Sequence, residues 1–163
     1  MYGRGYSKIS LMRKVALLVL LGLVSACAPK VVPVPTVTAP KYPDLVMPAV
    51  PEPLASDPAA SNQDRGWRFL QAGDLRNAEK EFSTALKLSP GFFPSDAALG
   101  DLELARKDPK AALPHFDRAL ERDARYVPAL VGRGQALLAL NRNADALAAF
   151  EAAVAVDPSL AFR

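Results

Sequence analysis

The chain repeats itself at a shift of 34 residues. Phe82, Phe116 and Phe150 fall on that shift, as do Ala78, Ala112 and Ala146, and Ala85, Ala119 and Ala153. Gly66, Gly100 and Gly134 keep the same register, and Leu86, Leu120 and Val154 keep one apolar type. Pro90 and Pro158 match across a middle unit that carries Ala124 instead. A period of this length means stacked supersecondary units, none of which buries its apolar face alone. The units run over 59–92, 93–126 and 127–160, and 161–163 begin a missing cap or a further repeat.

The residues inside a unit predict two helices. Ala78, Phe82 and Ala85 lie four and three apart, so they share one helical face with a large ring between two small residues. Alanine lets helices approach, and the ring fills the gap between them. Gly66, Gly100 and Gly134 fall on the first helix of each unit. A helical glycine costs about 1 kcal/mol against alanine, so three in register need a close contact to justify them. Pro90 and Pro158 stop the second helices, and Asp108-Pro109 reads as an N-cap followed by a first turn. Pro114 falls one turn inside a second helix and predicts a slight bend there.

With this period, helix pairing and small-residue pattern, residues 59–160 resemble the tetratricopeptide repeat. The resemblance implies an all-α fold, an α-solenoid of three antiparallel helix pairs, whose first helices line a concave surface that binds protein or peptide. By register with the family, that lining includes Gln63, Trp67, Leu70, Ala97, Asp101, Leu104, Val131, Gln135 and Leu138. Leu70, Leu104 and Leu138 recur at 34 and read as core. Gln63, Trp67, Asp101, Val131 and Gln135 are the candidate partner contacts, and Trp67, Asp101 and Gln135 share one register position while differing in type. The first unit departs from the family, which often has Trp where this chain has Asn62. The Lys, Asn and Arg clamp by which some relatives hold chaperone C-termini is missing, because its positions hold Gln63, Trp67, Ala98, Pro128 and Gly132.

The start of the chain has another purpose. Arg4, Lys8, Arg13 and Lys14 precede an almost wholly apolar run over 15–26, followed by Cys27. A basic start, a short apolar core and small residues make a secretory signal peptide over 1–26. The run is too short for a spanning helix, which needs about 20 residues. Val24-Ser25-Ala26-Cys27 resembles the bacterial lipobox, which implies a covalent lipid on Cys27 and cleavage before it; apart from that lipid no cofactor is expected. Ala28, rather than Asp, after the cysteine implies sorting to the outer membrane, facing the periplasm. Ordinary secretion is the alternative, since Ala26-Cys27-Ala28 also has a cleavable form, although Pro29 suits such a site poorly. Met12 offers a second start, so Met1–Leu11 could be an over-extended leader.

Residues 27–58 join anchor to repeats. Of the chain's 15 prolines, nine lie between 28 and 58, and no apolar period survives there. A disordered proline-rich tether with no packed core is expected. At about 3.1 Å per residue it would reach on the order of 100 Å. Pro33-Val34-Pro35 and Pro48–Pro53 are also weak candidates for a segment that docks in a partner's aromatic groove.

Charge and chemistry exclude other classes. Taking the four leader bases from 20 leaves 16 against 17 acids, so the basic pI argues for neither nucleic acid nor an anionic surface. There is one cysteine and one histidine, no phosphate loop and no nucleophile elbow, so no catalytic residues and no metal site are expected. His115 reads as a solvated side chain, and Glu79, Lys80 and Glu81 as a solvated helix face. The expected function is a membrane-anchored scaffold in the bacterial envelope that binds a protein or peptide in its groove, not an enzyme. The alternatives are a self-associating module joined through an uncapped last repeat bearing Leu147, Val154 and Leu160, or the N-terminal part of a longer envelope protein.

Overall fold

The computed structural model describes residues 32–162; the expected signal peptide over 1–26 and Cys27 lie outside them. Among the described residues six α-helices follow one another: α1 (Ala59–Gln71), α2 (Leu75–Leu88), α3 (Phe93–Ala105), α4 (Pro109–Arg122), α5 (Val127–Ala139) and α6 (Asn143–Val156). There is no strand among the described residues. Each helix packs on the next, and the first helices also touch across units, α1 on α3 and α3 on α5. This pairing puts α1, α3 and α5 in an inner layer and α2, α4 and α6 in an outer one.

The glycine register has a steric cause. A Cβ on Gly66 would stand 2.5 Å from the Phe82 ring, one on Gly100 2.6 Å from Phe116, and one on Gly134 2.5 Å from Phe150. Each second-helix ring therefore lies directly on the backbone of its own first helix. Phe116 is pressed from the other side as well, because a Cβ on Gly132 of the following unit would strike the same ring. Phe82 and Phe116 are fully buried and Phe150 only half. The alanines beside the rings, Ala78, Ala85, Ala112, Ala119, Ala146 and Ala153, are all at most 1% exposed.

A second register governs the turns inside each pair. Gly73, Lys107 and Asn141 all have positive φ, at 81°, 63° and 60°. At each one the chain closes the same pair of bonds onto the preceding helix. In the first unit Gly73 N donates to Leu70 O and Asp74 N to Phe69 O; in the second Lys107 N donates to Leu104 O and Asp108 N to Glu103 O; in the third Asn141 N donates to Leu138 O and Arg142 N to Leu137 O. This left-handed stop satisfies the orphan carbonyls of the first helix. Asp74 and Asp108 then cap α2 and α4 by accepting from Asn77 N and Ala111 N, whereas Arg142 provides no such cap for α6. Because only glycine takes a left-handed φ without cost, Lys107→Gly should raise stability by about 0.5–1 kcal/mol. Urea unfolding followed by circular dichroism checks this, and an unchanged midpoint would show that the turn tolerates lysine freely.

The helix α4 runs unbroken through Pro114, whose ring lies on the exposed side. The sequence reading needs correcting at two places. First, Glu81 is buried and links α1 to α2 by accepting from Asn62 Nδ2 (2.8 Å) and Arg65 Nη2 (2.9 Å), so it is no solvated face residue. Second, His115 is half-buried rather than solvated, and its Nδ1 accepts from the Arg118 guanidinium at 2.6 Å. Burial and then the Arg118 charge hold the imidazole below its ordinary pKa.

Candidate binding groove

The largest departure from expectation lies ahead of the repeats. From Val34 onward the proline-rich stretch is not a free tether, because it belongs to the same compact unit as the helices. Residues 41–50 lie across the inner layer. Lys41 N donates to Gln71 O at 2.8 Å, and Gln71 answers with its side chain: its Oε1 accepts from Tyr42 N at 3.2 Å and its Nε2 donates to Tyr42 O at 3.1 Å. These three bonds pair an extended peptide with the open C-terminal end of α1. A turn follows, closed by Leu45 N donating to Tyr42 O, with Pro43 at the position where its fixed φ is favoured.

Farther on, Gln135 Nε2 of α5 donates to Asp44 O at 3.4 Å, and the Tyr126 hydroxyl donates to Ala49 O at 2.7 Å. Pro48, between these contacts, is fully buried. Val34, Tyr42 and Leu45 pack on the core around Trp67, Leu70 and Phe82, and Val50 and Leu54 pack on Ala59, Ala85 and Phe92. Proline leaves the backbone without a donor, but its carbonyls remain, and the groove supplies donors for them.

The predicted contact residues therefore separate. Gln63 is fully buried between α1 and α3, where its Nε2 donates to Pro94 O (3.3 Å) and its Oε1 accepts from Ser95 Oγ (2.7 Å). It joins repeat to repeat and is no groove contact. Trp67 is 9% exposed and belongs to the core with Leu99 and Leu102. Asp101 is 5% exposed and accepts no hydrogen bond among the described residues, and burial pushes its carboxyl well above the ordinary range. Val131 and Gln135 are half-buried, and Leu138 is 54% exposed, so the third unit's part of the floor stays open.

Sequence reasoning missed Gln71 and Tyr126. Tyr126 stands where the other units have Phe92 and Leu160, so the one hydroxyl added to an apolar position was the available signal. Its ring meets Phe93 edge-on at 4.9 Å, and burial, then the charges of Asp101 and Asp123, raise its pKa strongly. Beside the turn, a cleft of about 240 Å³ opens between Tyr42–Leu45 and Leu104, Ala105 and Lys107. Among the described residues no group of three or more His, Cys, Asp and Glu could hold a metal, and no helix is long and apolar enough to cross a membrane.

The tetratricopeptide repeat sequence profile matches residues 64–127 and again 97–161, together more than half of the chain. The chain belongs to the tetratricopeptide repeat family. A solved structure described as the first tetratricopeptide domain of Spaghetti (RPAP3) bound to an HSP90 peptide is similar in fold, with a TM-score of 0.59 at 18% identity. The likeness covers 61% of this chain and 79% of that one. Family membership accounts for the Gly, Ala and Phe register and for the inner layer of first helices. The segment lying on that layer falls outside the residues that the profile matches.

Proposed function

We propose that this tetratricopeptide protein is a lipid-anchored scaffold of the bacterial envelope that holds a protein or peptide partner along its inner layer. The observation that carries the binding part is the inner face itself. It provides side-chain donors from Gln71, Tyr126 and Gln135, an open floor at Val131 and Leu138, and room for an extended chain. Backbone recognition of this kind suits peptides and requires no catalytic group. The similar domain's bound HSP90 peptide is in keeping with a peptide partner, but the clamp positions here hold Gln63, Trp67, Ala98, Pro128 and Gly132, so the ligand differs in chemistry. The anchoring part rests on Cys27 at the end of the leader, and a doubly or triply acylated cysteine would hold the protein stably to a membrane, outer and periplasm-facing by its Ala28.

Both parts are testable in cells. A photo-crosslinking residue at Val131, Gln135 or Leu138 should trap one partner in common, and the same residue at outer-layer Asp117 or Glu151 should not. Equal trapping at all five sites would remove the groove from the reading. Cys27→Ala should abolish palmitate labelling and move the protein from the membrane to the soluble fraction. A labelled, membrane-bound variant would remove the anchor.

A further inference from the structure

We infer that residues 41–50 are a resident ligand of the groove, and that a partner enters by displacing them with an extended, proline-containing segment of its own. This rests on the groove reading above and adds the class of ligand and its control. Three observations carry it. The segment is held at both ends, by three hydrogen bonds at Gln71 and one at Tyr126, all to its backbone. Between the ends, Leu45 and Pro48 pack inward, but the Gln135 bond is long at 3.4 Å, and Val46 (60%) and Met47 (39%) are exposed. And the inner layer keeps an acid that the segment does not serve, since Asp101 of α3 is 5% exposed and accepts no hydrogen bond among the described residues.

A buried polar group left unpaired is costly. A competitor that offers Asp101 an N–H or a basic side chain gains what the resident segment forgoes. Docking also sets the reach of the anchor. With Val34 already packed, only residues 28–33 separate Cys27 from the module, about 20 Å at full extension. Displacement that also releases Val34 frees the stretch to residue 50, on the order of 70 Å. Partner capture and deployment of the tether are then one event.

The test uses the full chain and a labelled synthetic peptide of residues 38–54, with binding read by fluorescence anisotropy. Against the unaltered chain the peptide should bind at least about tenfold more weakly than against a full-length variant whose residues 41–50 are replaced by glycine and serine, because an occupied site lowers apparent affinity by its free fraction. Adding Tyr126→Phe to that variant should weaken the peptide about fivefold, as expected for one hydrogen bond. Equal binding to both chains, or no binding to a replaced variant with intact helical circular dichroism, overturns the inference. If the replaced variant does not fold, hydrogen exchange on the unaltered chain decides. The Lys41, Tyr42 and Leu45 amides should be protected relative to the free peptide, and exchange at the free rate overturns the inference. Peptide binding without any cross-linked partner would keep the resident ligand and sink the scaffold reading, and the reverse pattern would do the opposite.

Discussion

Phe116→Ala should lower the stability of the array by about 3–5 kcal/mol, whereas Phe150→Ala at the same register should cost clearly less. Both rings sit on a glycine of their own first helix, Gly100 and Gly134. The difference is the far side. Phe116 is covered by Gly132 of the next unit and is fully buried; Phe150 is only half-buried, and Leu147 beside it is 59% exposed. Truncation at 116 leaves a cavity between two backbones that cannot close on it, because helices in register on both sides hold their spacing. Truncation at 150 leaves a surface dent that water can fill. Urea unfolding of the two variants measures the contrast. Equal losses would mean that the ring's own glycine, not the next unit, supplies the cover. The reciprocal change, Gly100→Ala, puts a methyl group 2.6 Å from the Phe116 ring and should destabilise despite the gain in helix propensity.

The helix pairs were legible because their constraints repeat. A ring that must lie on a glycine three times leaves Gly66–Phe82, Gly100–Phe116 and Gly134–Phe150 at fixed spacing, visible without coordinates. The turn register was not legible, since Gly73, Lys107 and Asn141 share a φ but no side-chain type. The groove was half-legible for a similar reason. Family register places Gln63, Trp67, Asp101, Val131 and Gln135 on first helices, but it cannot tell a residue that faces the groove from one that faces the neighbouring helix one position round. Gln63 has turned to Ser95 and Pro94, while Gln135 donates to Asp44 O of the docked segment. The docked segment left no periodic signal at all. Nine prolines in 28–58 suggest a chain without a core of its own; what that reading omits is that such a chain can pack on a surface already built.

Asp101→Asn should stabilise the protein at neutral pH by about 1–3 kcal/mol and remove a pH dependence that the unaltered chain shows. The Asp101 carboxyl is buried, accepts no hydrogen bond among the described residues, and is held well above its ordinary pKa by that burial. In the unfolded chain it ionises near pH 3.9. Below that value both states carry the proton and burial costs nothing through this group. As pH rises past it, the unfolded state releases its proton while the folded state keeps it, so stability falls until the folded carboxyl also ionises. An amide has no proton to lose, and its midpoint should stay flat across that window. His115 acts in the opposite sense: its pKa is lowered by burial and by Arg118, so stability through it falls as pH drops below about 6.5. The two slopes are separable, since Asp101→Asn leaves the histidine slope and His115→Gln leaves the carboxylate slope. Thermal midpoints of the three chains between pH 3 and pH 9 resolve them. If Asp101→Asn kept the wild-type slope above pH 4, the carboxylate would have a partner or water in solution, and the resident segment would fit the floor better than its unpaired acid implies.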